Sequence, residues 1–386
     1  MLHTNEFDII VNKMRLKSLN AICFVILVAS IFFVENHAIL GQVPTEDTEI
    51  VRVDTETIGV PVVVTDRSGK PILDLKLTNF RLLEDGKPQE ITDFSATTAP
   101  FEVTLLLDTS GSTRADIDLI KRSAQVFIDS LRPGDKVAII SFGSSDGLSS
   151  AASAPVVISK LTDDRSALRS ALQRITVSNG TPFYDGLVKI GEGIFPKRTA
   201  NDRNSRRAIV ALTDGVDSTS SAEFEEASEI LGGEGIVSYF IRVDTREYFE
   251  SELLGDCQSA IRFSQAQIRR YYRTVRSQSN EKASNFCQLG DFERLAVSKS
   301  LYELADAQMN HLAQTSGGKV FPLGDLSEAR NAFRSVAAAI GTNYSLGYYS
   351  SNEKRDGSFR KITVELKGLP TGSKVRAREG YTAKTN

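Results

Sequence analysis

From Phe101 onward, short apolar runs alternate with longer stretches whose apolar residues recur every three or four positions. The runs Glu102–Leu107, Lys136–Phe142, Ala208–Leu212 and Ile236–Val243 predict strands, with a shorter one at Lys319–Phe321. Between and after them, Asp116–Leu131, Ser166–Ile175, Phe183–Phe195, Glu223–Leu231, Leu301–Gln314 and Leu326–Ile340 carry the helical period. The strand runs are short, mostly apolar and bounded by polar turns, as strands covered on both faces are. Such alternation predicts an α/β fold, a doubly wound and mostly parallel sheet with helices on both sides. The serine-rich stretch 141–153 reads as an exposed loop.

The flanks have a different texture. Val51, Val53 and Thr55 alternate with Arg52, Asp54 and Glu56, and Val60–Thr65 is β-branched, with a turn over Asp66–Gly69. Phe80–Leu83 and Gln89–Phe94 flank Asp85-Gly86, a hairpin signal. After the last helix, Tyr344–Tyr349 is aromatic-rich, and Ile362, Val364 and Leu366 alternate with polar residues. A turn over Gly368–Ser373 and a further strand at Lys374–Arg378 follow. Neither flank has enough strands for its own core. The expected organisation is one small β-sandwich built from residues 45–98 and 343–386, with the α/β domain, 101–342, inserted between its halves.

Within that domain the alternation breaks over residues 244–300. Ile261, Ile268, Tyr272 and Val275 share one helical face, and Arg262, Arg269, Arg273 and Arg276 an adjacent one. The arginine stripe reads as a solvated face, with an acidic-partner surface as the sharper alternative. The same insertion holds Cys257 and Cys287.

Residues 1–38 read as an export signal. Lys13, Arg15 and Lys17 precede an apolar run from Leu19 to Val34, and Ala38 offers a cleavage point. The alternative is an uncleaved anchor helix, for which the run is short. Cys23 lies inside the run and not at its end, which argues against a lipoprotein. The expected location is therefore the periplasm, the cell surface or the medium, with membrane contact only through an uncleaved N-terminal helix. Export favours a Cys257–Cys287 disulfide over two buried thiols. The net charge of −3 speaks against a nucleic-acid binder. His311 alone remains beyond the leader, and it lies in a helical pattern, so histidine triads and histidine-rich zinc sites are excluded.

Three separated pieces carry the chemistry. Asp108-Thr109-Ser110-Gly111-Ser112-Thr113 follows one apolar strand, Gly180-Thr181-Pro182 precedes a helix, and Leu212-Thr213-Asp214-Gly215 ends another strand. All lie where strands give way to helices, the edge at which open α/β sheets bind ligands. They bring only oxygen: hydroxyls from Ser110, Ser112 and Thr181, carboxylates from Asp108 and Asp214. Hard oxygen suits Mg²⁺, Mn²⁺ or Ca²⁺ and not zinc. With only two carboxylates facing it, a divalent ion would stay attractive to a third from outside. Asp185 reads as a helix-start residue and Asp217 as a loop charge. Taken singly, each piece is also an ordinary cap or turn.

Together the three pieces resemble the DxSxS, threonine and TDG elements of the von Willebrand factor A family, and residues from about Phe101 to Ala339 follow that family's element order. The resemblance implies a metal-ion-dependent adhesion site with Ser110, Ser112 and Thr181 as direct ligands. It implies that Asp108 and Asp214 act through water or hydrogen bonds, and that a partner protein's Asp or Glu fills the vacant position. The segment around Phe80-Arg81-Leu82 and Asp85-Gly86, and the tail from Phe359 to Tyr381, look similar to bacterial exported proteins of the same broad family. The function expected is metal-dependent protein binding or adhesion without catalysis. A structural envelope component with an incidental metal is the alternative. A metal-dependent phosphohydrolase is a weaker one: an apolar strand followed by Asp108 is similar to the haloacid dehalogenase type, but Ser110 stands where that chemistry needs a second aspartate. No GxSxG elbow or P-loop lysine motif occurs.

Overall fold

The computed structural model describes residues 57–96, 100–110, 116–144, 153–196, 206–258, 260, 262–275, 286–383 and 385. All lie within the unit Thr55–Asn386. The leader, the strand expected over Val51–Thr55, and Ser112 fall outside the described residues, as do Ile261 and Arg276, which were expected on the insertion's helix.

The head supplies β1 (Ile58–Thr65), β2 (Phe80–Glu84), β3 (Lys87–Gln89) and β4 (Ile91–Ser95). The body supplies β5 (Phe101–Leu107), β6 (Lys136–Ser144), β7 (Ser153–Thr162), β8 (Arg206–Thr213), β9 (Val237–Val243) and β10 (Lys319–Leu323). The tail supplies β11 (Tyr344–Tyr348), β12 (Phe359–Leu366), β13 (Lys374–Ala377) and β14 (Gly380–Thr382). Helices in the body are α1 (Ile117–Ser130), α2 (Arg165–Gln173), α3 (Phe183–Gly193), α4 (Phe224–Glu234), α5 (Arg246–Ser251), α6 (Gln265–Val275), α7 (Asp291–Ser316) and α8 (Ala329–Gly341).

The body is a six-stranded sheet in the order β10-β9-β8-β5-β6-β7. Every pairing is parallel except β6 with β7. Alternate residues of β5 face opposite ways, so Val103, Leu105 and Leu107 join one core while Leu106 joins the other. The first core packs under α1, α2 and α8 through Phe127, Leu168 and Phe333. The second packs under α3, α4 and α7 through Phe183, Leu231 and Leu312. This is the doubly wound α/β fold expected. Two differences stand out: residues 141–144, expected to open an exposed loop, belong to β6 with Ser141, Phe142 and Gly143 buried, while 145–152 lie outside the described residues; and β7 was not expected. All but one of its residues are half-buried, the mark of an edge strand, and Pro155 within it has no place in a central strand.

Head and tail interleave in two antiparallel sheets, β13-β1-β11-β4 and β14-β12-β2-β3. Val60, Val62, Leu82, Tyr344, Leu346 and Val364 form their shared core. The β2–β3 hairpin turns at Asp85 and Gly86, both with positive φ (48° and 79°), the conformation that Asp-Gly favours. The chain then changes sheets before β4, which pairs with β11 and not with β2. Arg206 Nη1 donates to the Asn343 carbonyl at 2.5 Å, tying sandwich to body.

Candidate metal centre

The strand order places β8 and β6 on either side of β5, so successive crossovers leave β5 in opposite directions. The crevice at that reversal lies beyond the carboxyl ends of β5 and β8. Leu107 pairs with Leu212, and the Asp108 N–H donates to the Leu212 carbonyl at 2.9 Å. Sheet register therefore sets Asp108 beside Thr213 and Asp214.

The three expected pieces converge there as a closed hydrogen-bonded triangle. The first and third loops join where Thr213 Oγ1 donates to Asp108 Oδ2 at 2.7 Å. The first and second join where the Ser178 N–H donates to the Thr109 carbonyl at 2.7 Å. The second and third join twice at Thr181: its N–H donates to Ser218 Oγ at 2.8 Å, and its carbonyl accepts from the Ser218 N–H at 3.0 Å. Asp108, Ser110, Thr181 and Asp214 are all buried, at 1%, 5%, 6% and 7% exposure. Ser112, the fifth expected ligand, lies outside the described residues. Among those described, no group of three or more His, Cys, Asp or Glu side chains could hold a metal, so any ion here would depend on hydroxyls.

Both carboxylates already have partners. Asp108 Oδ1 accepts from the Ser110 N–H at 3.0 Å, and its other oxygen from Thr213. Asp214 Oδ1 accepts from the Val216 N–H at 2.9 Å and Oδ2 from Thr245 Oγ1 at 2.6 Å. Thr245 Oγ1 also lies 2.8 Å from the Tyr302 hydroxyl. Burial pushes the Asp108 carboxyl above the ordinary range, opposed by the hydrogen bonds from Thr213 and Ser110. Asp214 is pushed up by burial and then by the negative charge of Asp108. Two carboxylates that repel each other, in an expected ligand set whose other donors are hydroxyls, fit a hard divalent cation. Gly215 completes the turn: its φ is +74°, and a Cβ there would come within 2.7 Å of Met309 Cε.

Asp217 corrects the expectation of a loop charge. Its side chain is fully buried, and Oδ2 accepts from the Phe183 and Tyr184 N–H groups at 2.8 and 3.2 Å and from Ser220 Oγ. It caps α3 from a distant loop, where Pro182 provides no side-chain cap. Asp185 does lie in the first turn of α3, and its carboxylate accepts from the Ser221 and Ala222 N–H groups. Thr213, Ser218, Thr245 and Asp217 were not singled out for these roles. Their partners lie 31 to 105 residues away, beyond the reach of any local pattern.

The insertion adds a fourth apolar cluster, including Val216, Phe263, Ile268 and Leu301, and the disulfide Cys257–Cys287 with its Cα atoms 5.3 Å apart. Of the expected arginine stripe, Arg262 precedes α6 and so is not on the helix, Arg269 is exposed on it, and Arg273 pairs with Glu223 at 2.9 Å. The buried arginine of α6 is Arg270, outside the expected stripe.

A doubly wound sheet with oxygen donors gathered on three loops at its reversal point defines a class of ligand-binding α/β domain. Residues 103–216 match the von Willebrand factor type A domain, so the body of this chain contains a domain of that type. Solved structures of similar fold include an aerotolerance-related membrane protein from Bacteroides fragilis, at 16% identity and a TM-score of 0.37, covering 62% of this chain and 99% of the other. A von Willebrand factor type A protein from Catenulispora acidiphila is 12% identical with a TM-score of 0.40, covering 86% and 75%. Proximal thread matrix protein 1 from the mussel byssus, solved with zinc in its MIDAS motif, is 14% identical with a TM-score of 0.39, covering 66% and 48%. No curated protein matches the chain.

Proposed function

We propose that this protein is an exported, non-catalytic binding module that captures a protein partner through a divalent cation. The observation carrying the proposal is the closed triangle of hydrogen bonds that brings Asp108, Ser110, Thr181 and Asp214 together at the reversal point. Ser110, Ser112 and Thr181 supply hydroxyl oxygens directly to the ion. Asp108 and Asp214, whose oxygens already accept protein hydrogen bonds, act through water and neutralise its charge. Mg²⁺ suits the set best, with Mn²⁺ and Ca²⁺ as substitutes. The bound ion supplies an open coordination position for an Asp or Glu of the partner.

Export rests on the basic-then-apolar pattern of residues 1–38. Among the described residues, no helix is long and apolar enough to cross a membrane.

The test is partner capture from envelope or culture extract, with the wild-type chain, Ser110→Ala and Asp108→Ala, each in Mg²⁺ and in EDTA. Capture should require Mg²⁺ and be lost in both variants. Capture that survives EDTA and Ser110→Ala overturns the metal bridge.

A further inference from the structure

The insertion touches the third loop of the site at three points. At its start, Thr245 holds Asp214. Its apolar cluster takes in Val216, two residues past Asp214. Its helix α6 sends Arg270 against Asp217: Nη2 donates to Oδ1 at 3.2 Å and Nη1 to the Asp217 carbonyl at 3.1 Å. The pair is desolvated, with side-chain exposures of 7% and 0%, and the guanidinium lies 4.9 Å from the centre of the Tyr184 ring. Arg270 is the one charged side chain that meets Asp217 among the described residues.

We infer that Arg270 is a positioning residue of the metal site, holding the amino end of α3, and with it Thr181, in register with the Asp108 and Asp214 loops. The functional half of this inference rests on the proposed metal site. Its structural half rests on the contacts alone. A buried carboxylate deprived of its only charged partner takes up a proton or turns toward water. Either response weakens its hold on the Phe183 and Tyr184 N–H groups. Pro182 offers no replacement cap, so the first turn of α3 loosens next to Thr181. The insertion is thus part of the binding apparatus, and α6 sets how rigidly the second loop is presented. Groups behind metal ligands commonly govern affinity in this way.

The test uses the full chain, comparing wild type with Arg270→Met and Arg270→Lys. Two quantities are read: amide exchange without metal, and Mn²⁺ affinity by calorimetry. Arg270→Met should speed exchange at Phe183 and Tyr184 roughly tenfold while β5 and β8 keep their protection. It should weaken Mn²⁺ binding by roughly tenfold or more, with Arg270→Lys between it and wild type. Wild-type exchange at those two amides in Arg270→Met overturns the inference, and so does unchanged Mn²⁺ affinity. If Arg270→Met fails to fold, Arg270→Lys decides: wild-type behaviour in both measurements overturns it, and partial loss in both supports it. Failure of the wild-type chain to bind Mn²⁺, with exchange at Phe183 and Tyr184 still dependent on Arg270, overturns the metal reading and leaves the structural half standing.

Discussion

The Thr213 hydroxyl donates to the Asp108 carboxylate across 105 residues of sequence, joining the ends of two neighbouring strands. The same oxygen accepts from the Gly215 N–H at 2.9 Å. Thr213→Val keeps the shape and removes both bonds inside a buried site. It should cost about 1–3 kcal/mol in urea unfolding, whereas Thr213→Ser should stay near wild type. Equal stability of the valine and wild-type chains would show that the hydroxyl holds nothing.

Asp108 and Asp214 repel each other at the same end of the sheet. Asp214→Asn keeps the side-chain shape and removes one of the two charges. In EDTA it should melt higher than wild type, by ~3 °C for about 1 kcal/mol of relieved repulsion. Added Mg²⁺ should raise the melting temperature of wild type and leave the variant unmoved. A variant that melts lower than wild type in EDTA would contradict the repulsion.

In the sandwich, Arg360 faces Glu84 at 3.5 Å with side-chain exposures of 1% and 2%. Glu84 also accepts from the hydroxyls of Tyr348, Ser350 and Tyr381. Breaking a buried pair from one side leaves a charge without compensation. Arg360→Met should therefore lose about 3–5 kcal/mol. The double variant with Glu84→Gln should lose less than the sum of the single changes. Additive losses would mean that the two side chains act independently.

Burial pushes the hydroxyls of Tyr184, Tyr239 and Tyr381 up to about 12 from an ordinary 10.0. The folded state thus favours their neutral forms. That stability is whole below pH 10 and is lost as pH rises from 10 toward 12. Part of the tyrosinate absorbance should therefore appear only above pH 10, together with unfolding. One smooth step near pH 10, with the fold intact, would contradict the burial assigned to these side chains.

The strands of the body were legible because doubly covered strands carry long apolar runs, and Ala208–Leu212 within the fully buried β8 is the clearest case. The edge strand β7 was not, since half-burial dilutes that signal. Asp108, Ser110 and Asp214 could be picked out because their two pieces sit at predicted strand ends. Thr181, expected at a third strand end, instead lies between helices α2 and α3 and could be picked out through its own piece ahead of a helix. Asp217 and Arg270 could not. A buried ion pair has the composition of a surface one, and only the packing of α6 against the third loop distinguishes them. In the tail, β14 escaped notice because three residues are too few to show an alternation.

Strand β11 lies between β1 and β4, with Leu346 opposite both Val60 and Phe94. On a ribosome, β1 and β4 emerge early and the strand between them only after the entire α/β body. Until then, the valine-rich β1, whose partners β11 and β13 both lie in the tail, has two unpaired edges, the kind of surface that recruits wrong partners. Folding of the body brings Ser95 and Ser345 to adjacent positions and so removes most of the loop that separates the sandwich's halves. The sandwich can therefore close only after the whole α/β body has been made, because both of its sheets need strands from the tail.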